Sequence, residues 1–187
     1  MLRFGGLDLS LTSLGAARLD DGGIAATQLR TNRKGHARLN WLIGGAADYV
    51  TGCDLVAIEG PSYNSRTQYQ HETAGLWWLV AHELHRRAVP YISIPPATLK
   101  KFATGSGLAP KPDVLLAAAK RFPAVEFTSE DAADALWLLA MVCERYGCPL
   151  AEMPKDRVAL LYATVSKKGK RYGLPVIDWP YLQGRIA

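Results

Sequence analysis

Phe4-Gly5-Gly6-Leu7-Asp8-Leu9-Ser10-Leu11 is an apolar run with one acid in its middle. Its first six residues read as a strand, and Leu14 to Leu19 reads as a second strand after a short turn. Asp20-Asp21-Gly22-Gly23 then signals a tight hairpin, where the turn needs positive φ and glycine supplies it without strain. Ile24 to Leu29 returns as a third strand, so the chain opens with an antiparallel meander. Asp8 is the anomaly. A carboxylate between Leu7 and Leu9 is costly to bury unless it is paired, hydrogen-bonded or bound to metal.

Beyond the meander, Leu39, Leu42, Ile43, Ala46 and Val50 recur at helical spacing, and Gly52 ends that helix. Asp54 to Glu59 is a continuous apolar run, the mark of a central strand covered on both faces. It too finishes on an acid. Gly60 to Tyr69 is polar and aromatic, a loop beyond the carboxyl end of that strand. A helix from about Glu72 to Arg87 follows, with Ala74, Trp77, Ala81 and Leu84 on one face and Gly75, Trp78 and Leu79 on another. An apolar arc that wide predicts packing on the sheet and on a second surface, either another copy of the chain or the C-terminal segment.

Tyr91 to Ile94 is a fifth strand, stopped by Pro95-Pro96. Short helices over Thr98 to Ala103 and Pro112 to Arg121 flank a glycine-rich loop, and Glu130 to Tyr146 is a longer helix. The order predicts an α/β fold of the ribonuclease H-like type. Its mixed five-stranded sheet has three antiparallel strands and then parallel ones, with helices on its faces.

The 187 residues suffice for one domain, and 49% apolar with 21% charged residues can build a sizeable core. No apolar stretch approaches the roughly 20 residues of a membrane span. Met1-Leu2-Arg3-Phe4 runs straight into the strand pattern, leaving no room for a secretory leader. Cys53, Cys143 and Cys148 are sparse and odd in number, which suits a reducing, cytoplasmic setting. Neither they nor His36, His71, His82 and His85 have zinc-site spacing.

Net charge is +5, and the positive residues cluster: Arg30, Arg33, Lys34 and Arg38; Arg86 and Arg87; Lys100 and Lys101; Lys167, Lys168, Lys170 and Arg171. Such clusters suit a polyanionic partner, because they replace phosphate counterions. Residues 1–147 read as the body, and 148–187 as a basic extension punctuated by Pro149, Pro154, Pro175 and Pro180, packed on or beside it.

Four acids then stand out: Asp8, Glu59, Asp131 and Asp134. Helix-start chemistry at Thr128 or Ser129 accounts for Asp131 alone, since acids are favoured in a first turn. Asp134 lies one turn further in and shares its face. If the first strand is central with the strand at 54–59 parallel beside it, Asp8 and Glu59 are neighbours. The helix start, laid over Asp8, completes an oxygen-only ligand set suited to Mg²⁺ or Mn²⁺. Two such ions, about 4 Å apart, can activate a water and stabilise the leaving oxygen of a phosphodiester.

Gly6-Leu7-Asp8-Leu9-Ser10, Ala57-Ile58-Glu59-Gly60 and Asp131-Ala132-Ala133-Asp134-Ala135-Leu136 resemble the RuvC family of Holliday-junction resolvases in order and spacing. Pro96-Ala97-Thr98-Leu99-Lys100-Lys101, followed by Gly105-Ser106-Gly107-Leu108-Ala109-Pro110-Lys111, extends the resemblance over about residues 1–147. It implies a homodimeric endonuclease that cuts four-way DNA junctions in recombination, repair or phage genome processing. Asp8, Glu59, Asp131 and Asp134 would ligate two Mg²⁺ (or Mn²⁺) ions, and the dimer would form through the helix around 72–87. Lys111 matches a family lysine near the scissile phosphate, and Lys100, with Lys101 beside it, a basic position lining the DNA path.

The family's usual loop after Glu59 is replaced here by Pro61 to Tyr69. Tyr63 and Tyr69 are candidates to stack on an exposed base, and Arg66 to hold a phosphate. Lys167, Lys168, Lys170 and Arg171 are candidate DNA contacts in the extension. A broad fork or flap endonuclease and a non-catalytic DNA-binding module remain open alternatives. The sugar-kinase and actin group, which shares the fold type, is disfavoured: it duplicates the fold, and this chain has no second glycine-rich phosphate loop.

Overall fold

Alternation along the strands sorts their side chains onto two faces, and each face builds its own core. The computed structural model describes residues 2–21, 23–61, 69–127, 129–162, 177–180 and 182. Tyr63, Arg66, Lys167, Lys168, Lys170 and Arg171 lie outside the described residues. The strands are β1 (Phe4–Leu9), β2 (Ser13–Asp20), β3 (Gly23–Arg30), β4 (Leu55–Glu59) and β5 (Tyr91–Ile94). The helices are α1 (Gly35–Tyr49), α2 (Gln70–Arg86), α3 (Pro96–Thr104), α4 (Lys111–Arg121), α5 (Glu130–Arg145) and the single turn α6 (Lys155–Val158), continued by a 3-10 turn at Ala159–Tyr162.

The sheet order is β3-β2-β1-β4-β5. β1 runs antiparallel to β2 and parallel to β4, and β5 joins β4 in parallel. This is the expected mixed sheet. The hairpin closes with Asp20 opposite Gly23, whose φ of +102° is a region glycine enters without strain.

On one face Leu7, Leu14, Ala16, Val56 and Ile58 pack against α1 and α2. On the other, Phe4, Ala17, Leu55, Ala57, Ile92 and Ile94 meet α3, α4 and α5. The stripe of α2 that enters the core is Leu76, Val80, Ala81 and Leu84. This corrects the sequence reading of that helix, which assigned Leu76 and Val80 to neither face. Trp77 is half-buried, while Trp78 is 66% and Leu79 42% exposed.

α5 is buried from Ala132 to Cys143 without interruption. A helix apolar on every side must run through the middle of its core. It can lie this close to the sheet because β1 and β2 carry glycines beneath it. A Cβ on Gly6 would overlap the carbonyl oxygen of Ala135, and one on Gly15 that of Asp131. Ser129 caps the helix, its Oγ accepting from the Ala132 amide at 3.1 Å.

At the other end of α5, the described residues past 176 return to the body. The Tyr146 hydroxyl donates to the Pro180 carbonyl at 2.5 Å, and Trp179 stands edge-on to the Tyr146 ring at 6.0 Å. Arg145 lies over the Tyr162 ring at 4.7 Å. Among the described residues, no helix is long and apolar enough to cross a membrane.

Candidate active site

Strand register places the first two acids. Leu7 pairs with Ile58 across the parallel β1–β4 ladder, so one step further along both strands sets Asp8 beside Glu59. Both point to the α5 side, on the alternation of Phe4 and Gly6 and of Leu55 and Ala57. The carboxyls of Asp8 and Glu59 share a hydrogen bond. Trp77 pins the end of β4 from α2, its indole N–H donating to the Glu59 carbonyl at 3.0 Å.

α5 supplies the second pair. Asp134, like Asp8, is only 5% exposed, and Asp131 sits one turn before it at the sheet crossing over Gly15. α4 brings the cation: Lys111 is its first residue, after Pro110 and before Pro112, a proline-rich start that pre-sets helical φ. The Trp137 indole of α5 donates to the Val114 carbonyl of α4 at 3.1 Å, which fixes the two helices together. Lys111 Nζ then lies 3.4 Å from Asp131 Oδ1 and 3.7 Å from Asp134 Oδ2.

These acids are not electrostatically equivalent. Burial and the neighbouring Glu59 push the Asp8 carboxyl well above its usual range. Burial and the nearby Asp134 charge raise Glu59 to about 7 despite its bond to Asp8, and burial and Asp8 raise Asp134 to about 7. Asp131 goes the other way. Its own burial opposes ionisation, but hydrogen bonds from Ser13 and Gln28 and the Lys111 ammonium hold it below the ordinary carboxylate value. Lys111 is partly desolvated, yet the charges of Asp8, Asp134 and Asp131 keep its proton more tightly bound than usual.

Asp131 Oδ2 accepts from Ser13 Oγ at 2.5 Å and from Gln28 Nε2 at 2.8 Å. Sequence reasoning missed Ser13 and Gln28, although the hairpin contains the signal. Once Asp20 faces Gly23, Gly15 must face Gln28, and Gly15 in turn faces Asp8. Asp8, Gly15 and Gln28 therefore form one lateral row on the α5 face, with the glycine leaving space for α5 between the two polar side chains.

Asp8, Glu59, Asp131, Asp134 and Lys111 thus gather at one end of the sheet, and Lys100 of α3 is near enough to act on Glu59 and Asp134. Lys101 is exposed on the same helix. Tyr69, at the start of α2, is 50% exposed. Among the described residues, no three acidic, histidine or cysteine side chains already form a ligand cage for one ion; Lys111 lies between Asp131 and Asp134 instead. The donor chemistry nonetheless fits a hard divalent cation: all donors are carboxylate oxygens, and three carry the cost of crowded, desolvated negative charge.

No protein-family model and no curated protein sequence matches the chain. Solved structures do. RuvC of Thermus thermophilus superposes with a TM-score of 0.58 at 19% identity, over 82% of this chain and 100% of that one. The same protein in complex with Holliday junction substrate gives 0.61 at 16% identity, over the same shares of the two chains. The chain has the RuvC fold. The similarity spans the whole of RuvC, in keeping with the mixed α/β sheet.

Proposed function

We propose that the chain is a metal-dependent endodeoxyribonuclease that selects four-way DNA junctions. One observation carries the reading. Asp8, Glu59 and Asp134 come from three separate elements, yet converge, Asp8 and Asp134 buried and Glu59 half-buried, beneath Lys111 on a RuvC fold. Burying like charges together is destabilising unless something positive uses them. Structural roles are met elsewhere: Ser129 caps α5, and Gln28 bonds Asp131 rather than any of these three acids.

Asp8, Glu59, Asp131 and Asp134 would hold Mg²⁺ or Mn²⁺, two ions per site. Bound there, such ions supply a nucleophilic water at neutral pH and Lewis-acid stabilisation of the leaving 3′-oxygen. The protein's residues do the rest. Ser13 and Gln28 orient Asp131 so that Oδ1 faces the site. Glu59 and Asp134 give up their protons to become ligands. Lys111, exchanging its carboxylates for the scissile phosphate, stabilises the charge that develops there. Lys100, which acts on Glu59 and Asp134, would hold the flanking backbone with the exposed Lys101, and the exposed Tyr69 would stack on an unpaired base.

A four-way junction presents two equivalent strands, which calls for two sites. The exposed Trp78 and Leu79 of α2 support a homodimer through that helix, as does a groove of about 390 Å³ between α1 and α2, lined in part by Leu39, Gly75 and Leu79.

The decisive assay compares cleavage of a mobile four-way junction, a fork, a flap and linear duplex with Mg²⁺. Symmetric cuts in the junction are expected, and Asp8→Asn should bind it without cutting. Equal cleavage of duplex and junction would overturn junction selectivity. Full activity in Asp8→Asn would overturn the site.

A further inference from the structure

Beside the carboxylates, on the outer side of Asp131, the surface opens into a cleft of about 830 Å³ between the β2–β3 edge and the start of α5. Its walls include Thr12, Gln28, Arg30, Thr31, Asn32 and Ser129, and Leu115 is its single aliphatic side chain. Pockets of this size that hold small organic ligands are mostly apolar and aromatic. This one is lined by hydroxyls, amides and a guanidinium, the groups that bind sugar and phosphate oxygens.

The cleft is built rather than incidental. The Thr31 amide donates to the Thr12 carbonyl at 3.1 Å, tying the exit of β3 to the β1–β2 turn. Ser10 and Ser13 bond to each other at 2.8 Å inside that turn. Arg30 Nε donates to Gln28 Oε1 at 2.8 Å, and Gln28 Nε2 donates to Asp131 Oδ2 at 2.8 Å. Arg30 is exposed, and its two terminal nitrogens make no hydrogen bond among the described residues. Arg33 and Lys34 follow on the exposed segment leading to α1. Of the two acids on the wall, Asp131 is already engaged by Ser13, Gln28 and Lys111. Glu130 stands in the first turn of α5, where the helix dipole favours it.

We propose that this cleft receives the sugar–phosphate backbone of the DNA next to the cut, with Arg30 as the phosphate ligand. The assignment rests on the nuclease reading above and extends it. Arg30 then performs two tasks from one position. Its Nε fixes which way the Gln28 amide faces, and its outer edge stays free for a phosphate.

Binding measured by fluorescence anisotropy, across a NaCl series, tests this with Asp8→Asn protein and a labelled four-way junction. Arg30→Ala, added to Asp8→Asn, should weaken binding about 5- to 10-fold and reduce the salt slope by about one. Arg30→Lys should retain the slope. Lys120→Ala, which removes a charge from the α3–α4 side, should leave affinity and slope near those of the parent. Unchanged binding in Arg30→Ala overturns the cleft assignment alone. An equal loss in Lys120→Ala also overturns it, because net charge would then explain the effect. Failure of the Asp8→Asn parent to bind the junction at all overturns both the cleft and the nuclease reading. Unaltered melting temperatures exclude misfolding as the cause.

Discussion

Asp8, Glu59 and Asp134 bind protons more tightly in the folded chain than when unfolded, and this fixes how metal, pH and stability are linked. Between about pH 4 and 7 the folded state holds the extra protons, so these three groups make the metal-free protein less stable as pH rises through that window. A divalent cation entering the proposed site would have to displace those protons, and its binding would stabilise the fold by mass action. Thermal melts should therefore show a larger Mg²⁺-induced rise at pH 8 than at pH 5, and Asp8→Asn should shrink the pH 8 effect. An equal Mg²⁺ shift at both pH values would contradict the carboxylate account. Gln28 acts one step out. Gln28→Leu keeps the size but removes the amide that bonds Asp131. Loss of such an outer partner typically costs 10- to 100-fold in metal affinity, measurable by Mn²⁺ titration of DNA-free protein with the melting temperature unchanged. Asp8 was legible in the sequence because a charge between two leucines has few structural uses. Gln28 was not, because an amide on an edge strand looks ordinary until the hairpin register puts it in the row of Asp8.

At the scale of elements, α5 and the two glycines under it decide whether the site forms. Gly6→Val or Gly15→Val would drive side-chain carbon into the α5 backbone. Overpacking of this kind costs about 3 kcal/mol or more, because neither partner is a flexible side chain. Urea denaturation should show that loss, and any folded Gly15→Val should cut DNA poorly because Asp131 has shifted. Gly44→Val, which meets open space, is the control. Strands and helices were readable from periodicity because each half-buried element alternates with its own period. α2 was read less well. Its buried Leu76 and Val80 flank exposed Trp78 and Leu79, so hydrophobicity alone does not separate the core stripe from the surface one. α6, a single turn after Pro154, has no periodic signal to read.

For the whole molecule, the two cores on opposite sheet faces serve different ends. The α5 face holds the site, and the α1–α2 face presents Trp78 and Leu79 outward. If those residues form a homodimer, Trp78→Asp should shift the sedimentation of the purified protein from dimer to monomer. It should also replace paired junction cuts with single nicks, because each protomer keeps its own carboxylates. A wild type that sediments as a monomer, with and without junction, would rule out this interface. The returning residues near Trp179 show why the C-terminal segment resisted a sequence reading: an isolated Trp-Pro anchor has no period, and its partner Tyr146 is distant in the chain.

The uninterrupted burial of α5 carries a consequence for biosynthesis. Chains emerge from the ribosome at about 5–20 residues per second, and Asp131 and Asp134 arrive long after Asp8 and Glu59. Until α5 leaves the exit tunnel, the sheet lacks the helix that fills one of its cores, and the acids lack half their number. On the proposed reading, the chain would have no cutting ability while it is still being translated. Prematurely terminated products should be inert fragments for proteolysis rather than loose activity against DNA.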